Sequence, residues 1–318
     1  MRQTGVALVI VLWVISLLII MAGSFALSMR RESSITSVIK SNSQALALAE
    51  SGLAIAELML LDNDLNKAWR TDGSVYEIIV AGAKVRVRLL SEVGKIDLNA
   101  ADSRSLQNLL INAPIDEEQQ SKLLGAILDW RDPDDLVNTN GAEKTEYEEA
   151  GLNYGPTNRP FDSIEELQSV LGMDKKIYNW LEPLVTVYSG QTQVDFNVAS
   201  KEVLSTIPEL GEDILNSYLL ARVDSARNDL PAPALPIIPG IRSGSSGSSN
   251  VVTVVCEARL VDNSRARISV VIKKEESISA NPFQVLKWEH DLSNNKSLFT
   301  EIMNEFLVKQ YAQPELNN

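Results

Sequence analysis

From Val6 to Met29 the chain carries no charged residue, and Arg30 and Arg31 follow directly. As a helix rising about 1.5 Å per residue, that run crosses the roughly 30 Å hydrocarbon core of a bilayer. It exceeds the roughly 7–15 apolar residues of a secretory signal, although Ala22-Gly23-Ser24 would make a passable cut site. The leader before it is short, Met1-Arg2-Gln3-Thr4-Gly5. Lys and Arg alone, with Arg2 on one side and Arg30 and Arg31 on the other, would place the C-terminal side in the cytoplasm.

Beyond Arg30 the helical pattern persists but becomes one-sided. Ile35, Val38, Ile39, Leu46, Ala49, Leu53, Ala56 and Leu60 recur at three- and four-residue steps. The stripe ends at Asp62-Asn63-Asp64, which predicts one helix over 6–61 of about 80 Å. "SVYEIIVAG" and "AKVRVRLLSEV" then read as strands, and "NVVTVVCEARL" and "RARISVVIKK" as a hairpin around Val261-Asp262-Asn263-Ser264. The pattern predicts an antiparallel sheet with one face under the helix and the other wet. The single Cys256 excludes an intrachain disulfide and suits a buried strand position. The lone His290 supplies neither a zinc set nor a Ser-His-Asp triad.

Between Val93 and about Asp224 the pattern turns helical and acidic, and three segments echo one another: "DLNAADSRSLQNLL", "FDSIEELQSVLG" and "DFNVASKEVLSTI". Ser103, Ser163 and Ser200 stand where helix caps belong, and Ser163 with Glu166 spells a capping box. These repeats are similar to the helix-hairpin-helix units of DNA-binding proteins, which defines a rival reading: a membrane-tethered DNA receptor of a competence-type system. Two of the three hairpins are acidic, and the whole chain has a formal net charge of −13. Both oppose phosphate binding. "LPAPALPIIPGIRSGSSGSSN", residues 230–250, reads as a flexible connector. After it, "NPFQVLKWEHDL" reads as an edge strand in which Trp288 packs, and "KSLFTEIMNEFLVKQY" as a helix.

The acidic stretch beginning "DWRDPDDLVNTNGAEKTEYEEAG" sets Asp129, Asp132, Asp134, Asp135, Glu143 and Glu146 around Pro133, which interrupts any continuous helix. Oxygen ligands on an irregular loop suit Ca²⁺. An EF-hand is rejected, because Leu136 and Val137 occupy the fifth and sixth positions of that register. On the residues alone, a calcium loop and a solvated acidic loop both stand.

The leader ending in Gly5, the apolar run from Val6 and the helix leading into a sheet resemble a type IV pilin-like protein. That resemblance implies cleavage between Gly5 and Val6 by a prepilin peptidase, methylation of Val6, and a leader in the cytoplasm. Most such proteins carry Glu at the fifth residue after the cut, where it pairs with the N-terminal amine of the subunit above. Here that position is Ile10. A subunit unable to neutralise a buried amine suits a fibre's tip better than its shaft. Ile10, "DLNAA", "DWRDPDD", "GAE" with Tyr147, "SIEEL" and "VDFNVAS" together resemble the type II secretion minor pseudopilin K family, over nearly the whole chain.

The implied fold is α+β: a pilin-like long N-terminal helix packed on an antiparallel sheet, with a large inserted all-α domain. Its parts are the leader 1–5, a transmembrane segment 6–29, helix and first strands 30–93, the insert 94–229, the linker 230–250 and the closing strands and tail 251–318. The resemblance implies one or two Ca²⁺ ions in the insert, for which Asp132, Asp134, Asp135, Glu143 and Glu146 are the expected ligands. It further implies a single-pass protein of the bacterial inner membrane with its bulk in the periplasm. Its partners would be the other minor pseudopilins, the prepilin peptidase, the secretin and secreted cargo, without nucleic acid or catalysis. A membrane-anchored hydrolase using these carboxylates as acid and base is the third reading.

Overall fold

The computed structural model describes residues 4–62, 68–237, 250–275, 281–291 and 297–310. Helix α1 (Thr4–Leu60) is continuous, close to the predicted 6–61. From Leu8 to Lys40 every residue is exposed. α1 is long and apolar enough over its first half to cross a membrane. Further along, Ala45, Ala49, Leu53 and Ala56 are buried. This small-residue stripe lets the helix approach the sheet closely, and a Cβ on Gly52 would lie 2.8 Å from Val85 Cγ1.

Strands β1 (Asp72–Val80) and β2 (Ala83–Ser91) follow. The insert then runs through β3 (Ile96–Asp97), α2 (Ser103–Ile111), α3 (Glu117–Arg131), α4 (Lys144–Glu149), α5 (Lys175–Leu181), β4 (Val185–Thr186), α6 (Lys201–Leu204) and α7 (Glu212–Arg227). Strands β5 (Val251–Arg259), β6 (Arg265–Lys274) and β7 (Phe283–Asp291), helix α8 (Glu301–Glu305) and strand β8 (Leu307–Gln310) complete the chain. The main sheet has the order β7-β6-β5-β2-β1-β8. It is antiparallel throughout except that β8 runs parallel to β1. β2 pairs directly with β5, Ser91 opposite Val252, so the insert occupies the place of a hairpin turn.

One apolar cluster joins Ala49, Leu53 and Ala56 of α1 to Val85, Val87, Val254, Cys256, Ile268 and Val270. A second, separate cluster fills the insert around Leu106, Leu123, Ile127, Trp130, Tyr147 and Leu204. The sheet face away from α1, predicted to be wet, is covered by the insert and by the segment 297–306. It keeps its charged residues because they pair: Arg86 Nε lies 2.8 Å from Glu77 Oε2. Glu257 accepts from Ser297 Oγ at 2.8 Å and from the Leu298 N–H at 2.5 Å. A cavity of about 420 Å³ remains along this seam, between Arg88, Thr253 and Val271 of the sheet and Pro183, Val185 and Tyr188 of the insert.

Side chains tie the insert down. Arg222 of α7 is buried and donates to Asp72 Oδ2 at 3.2 Å, to the Asp72 carbonyl at 2.7 Å and to the Ala199 carbonyl at 2.8 Å. Arg88 Nη2 lies 3.0 Å from Glu202 Oε2. Burial pushes the Glu202 carboxyl up, but the Arg88 guanidinium overcomes this and holds it down at about 2. A depressed folded value contributes stability above the unfolded value of about 4.5, lost as pH falls through 4.5 toward 2. About a third of the Glu202 side chain meets water, so the effect is modest. Acid unfolding followed by circular dichroism is expected to show a shallower loss of Tm over that window in Glu202→Gln than in the parent.

The C-terminal segment departs from expectation. Among its described residues only Glu301–Glu305 is helical, and Leu307–Gln310 instead fills the free edge of β1. Pairing an open sheet edge and burying Phe306 and Val308 outweigh local helix propensity. β7 is the edge strand predicted within 281–292, but Trp288 remains 40% exposed, with its ring 6.3 Å from that of His290.

Candidate metal loop and family relationships

The acidic loop hangs between α3 and α4. α3 is capped by the Asp116 side chain, which accepts from the Gln119 N–H, and ends at Asp132, ahead of Pro133. Asp129 on its last turn is fully buried and organises the loop beyond it. Its Oδ1 accepts from the Asn138 N–H at 3.0 Å, and its Oδ2 from the Ala142 N–H at 2.6 Å. The loop therefore folds back on the helix at Gly141. A Cβ on Gly125 would lie 2.6 Å from Gly141 Cα and N. Backbone cannot yield as a side chain can, so Gly125→Ala is expected to cost about 1–3 kcal/mol, read from urea unfolding.

Each expected ligand has a defined place. Asp132 Oδ2 accepts from Asn138 Nδ2 at 3.0 Å. Asp134 Oδ1 takes the Leu136 N–H at 2.9 Å, and Asp135 Oδ1 takes Asn158 Nδ2 at 2.7 Å. Glu146 Oε2 accepts from the Glu143 N–H at 2.8 Å, the reciprocal half of a capping box that starts α4. Asp132 Oδ1, Glu143 Oε1 and Asn158 Oδ1 are buried and receive no hydrogen bond. Burial, then the charges of Asp129, Asp132, Asp135 and Asp134, push the Glu143 carboxyl up to about 7. Asp132 is raised by burial and by Asp134. Among the described residues no three His, Cys, Asp or Glu side chains already converge as an ion-binding group.

Buried acceptors without donors are uncommon in folded proteins, and three on one loop system call for a cation or water. The donor set is all oxygen, which fits Ca²⁺ or another hard cation and not a thiolate-loving metal. Asp129 and Asn158 belong to this arrangement and were absent from the expected ligands. Asp129 reads in sequence as one more acid on a helix, and Asn158 lies beyond α4, linked to the loop only by the fold.

The repeats hold as local structure. Asp97 Oδ1 accepts from the Asn99 and Ala100 N–H groups at 2.8 and 3.1 Å, and Asp195 Oδ1 from the Asn197 N–H at 3.0 Å. Ser200 caps α6 as expected, whereas Asp102 rather than Ser103 caps α2. The α7 N-terminus, which a phosphate would approach past Gly211, carries Glu212 and Asp213. DNA is not favoured by that surface.

The family model described as type II secretion system protein K matches residues 84–190, from β2 through most of the insert. The type II secretion system protein K of Aeromonas hydrophila is 25% identical over 311 residues, covering 85% of this chain and 92% of that protein. The chain is similar to protein K over the matched domain and along most of the Aeromonas protein's length. The Klebsiella pneumoniae protein of the same name is 26% identical over 216 residues, 62% of this chain and 66% of its own length. Among solved structures, the GspK-GspI-GspJ complex from enterotoxigenic Escherichia coli aligns with a TM-score of 0.53 at 18% identity. It covers 83% of this chain and 99% of that one, a likeness of fold. In this chain α1 supplies a helix long and apolar enough to cross a membrane. Gly5, Val6 and Ile10 all lie in the first turns of α1, while Met1–Gln3 are outside the described residues.

Proposed function

We propose that this chain is a minor pseudopilin of a type II secretion system that caps a short periplasmic fibre, with its insert held in shape by calcium and its apolar helix shared with sister subunits. The observation that carries the tip position is Ile10, which leaves no carboxylate to pair with an amine above it. The insert supports it, because residues 94–229 project from one side of the sheet as a domain with its own core. A shaft subunit that wide would collide with its neighbours. The aligned complex joins a GspK to GspI and GspJ, and by analogy the partners of this chain are two other minor pseudopilins. Contact with the secretin or cargo would then fall to the insert.

In this reading the prepilin peptidase cuts between Gly5 and Val6, and the chain enters the inner membrane with its bulk in the periplasm. When bound, calcium would neutralise the crowded carboxylates and satisfy the orphaned oxygens of Asp132, Glu143 and Asn158. Asp135 and Asp134 would add charge, and Glu146 would continue to cap α4. No step requires catalysis.

Two measurements test it. N-terminal mass spectrometry of membrane-extracted protein is expected to find methylated Val6; an intact Met1 or a cut near Ser24 would remove the pilin reading. Co-expression with the two sister subunits is expected to yield a one-to-one-to-one complex. In cross-linking of assembled fibres the chain should then occur once per fibre. Copies along the whole length would overturn the tip assignment.

A further inference from the structure

The chain is acidic overall, yet one end of its sheet is basic. The strand registers set Lys84, Arg259 and Arg265 side by side across β2, β5 and β6. The Lys84 and Arg265 side chains are each 41% exposed, and Arg259 lies over the Phe299 ring at 4.4 Å. The next rung holds Arg86, Glu257, Arg267 and Asp291, of which Glu257 is buried and hydrogen-bonded.

One contact fixes the direction in which this end points. Ser41 Oγ donates to Asp262 Oδ2 at 2.8 Å, so the β5–β6 turn lies against the part of α1 nearest the apolar run. On that same stretch Arg30, Arg31 and Lys40 are exposed, as are Ile35, Val38 and Ile39. Val261, at the apex of the turn, is 92% exposed. Among the described residues the acids here are few: Glu32, Asp262, which Ser41 and the Ser264 N–H already engage, Glu77, 3.7 Å from Lys84, and the buried Glu257, 4.0 Å from Arg265.

The length of α1 points the same way. The uncharged run from Val6 to Met29 makes about 36 Å of helix against a hydrocarbon core of about 30 Å. An excess of that size is relieved by tilting, on the order of 30°. An upright helix would hold Ser41 about 18 Å beyond Met29, and the basic row farther still, past the Debye length of about 8 Å. A tilt toward the β5–β6 turn lowers that row toward the headgroups and lets Val261 enter among them.

We propose that the basic end of the sheet, with Val261 at its apex, rests on anionic lipid headgroups of the bilayer that holds α1, before the subunit enters a fibre. The recognising chemistry is Lys and Arg against lipid phosphate, with one apolar apex and the exposed Ile35–Ile39 flank at the interface. The proposal requires α1 to span the membrane and is independent of the tip position.

The test uses the full chain in phosphatidylcholine vesicles with and without phosphatidylglycerol, carrying a fluorophore at Val261→Cys. Cys256 is buried and does not compete for label. Retention after carbonate washing verifies insertion separately. Headgroup-attached quencher is expected to quench the probe several-fold more in the anionic vesicles. The difference should vanish in about 0.5 M salt, where the Debye length falls to about 4 Å, and in the triple variant Lys84→Gln/Arg259→Gln/Arg265→Gln. Should the triple variant misfold, lipid composition and salt decide with the basic row intact. Equal quenching in both vesicle types overturns the proposal. So does quenching that tracks the protein-to-lipid ratio and not the anionic fraction, which would put a second copy on this surface.

Discussion

Chelating calcium from the full-length protein in detergent is expected to lower its Tm by about 5–10 °C. A ligand that binds only the folded state at one hundred times its Kd stabilises by about 2.7 kcal/mol, and each kcal/mol moves Tm by about 2–4 °C in a domain of this size. The residues motivating this are Asp132, Glu143 and Asn158, each with a buried oxygen that no donor reaches. Calorimetry with chelator, then with calcium or magnesium restored, reads the effect. Calcium should restore the loss more fully than magnesium, which demands a stricter octahedron and sheds its water reluctantly. Glu143→Gln should reduce the calcium-dependent increment while leaving the chelated protein folded. A Tm indifferent to both chelator and calcium would remove the metal from the account and leave a solvated acidic loop.

The second large effect falls on the joint between the insert and the sheet. Arg222→Met is expected to cost about 3–5 kcal/mol, because it strands the buried Asp72 carboxylate without its counter-charge. Burial pushes Asp72 up, and Arg222 and the Ser74 hydrogen bonds more than reverse this, so its carboxyl lies below the usual range. Ser74 N and Oγ continue to donate to Asp72 Oδ1 at 3.1 and 2.6 Å in the variant, which bounds the loss. Asp72→Asn combined with Arg222→Met should be milder than the sum of the single changes, a coupling that urea unfolding of the four proteins measures. Strict additivity would mean that the two residues act independently, contrary to the geometry.

Period and local chemistry decide how much of this fold is legible in the sequence. The Ala49–Ala56 part of the α1 stripe, the alternation in "KVRVRLL" and the DLN and DFN turns all encode their own geometry within a few residues, and the structure places them where their patterns point. Ile35, Val38 and Ile39 of the same stripe, by contrast, lie beyond the sheet and are exposed. The C-terminal segment reads as helix because nothing local shows that Leu307 and Val308 answer to an open strand edge far back in the chain, at β1. The face expected to be wet differs for the same reason. Arg86, Arg88, Glu77 and Glu257 look solvated when each strand is read alone, and are buried only because the insert and the segment 297–306 fold back over them. In the metal loop the crowd of acids is plain in sequence, but its order is not. Asp129 matters through backbone groups nine and thirteen residues on, at Asn138 and Ala142, a relation no spacing rule announces.

The Gly52 contact has a mechanical consequence. The buried stripe from Ala45 to Ala56 is a footing only about 16 Å long, while about 60 Å of helix projects beyond it. Adding one methyl at position 52, with Val85 Cγ1 only 2.8 Å away, would lift one edge of that footing by a few tenths of an ångström. A long arm pivoting on so short a base multiplies the error, and the far end would swing by an ångström or more. The absent side chain at Gly52 thus acts as a levelling shim, setting the aim of the stalk relative to everything mounted on the head.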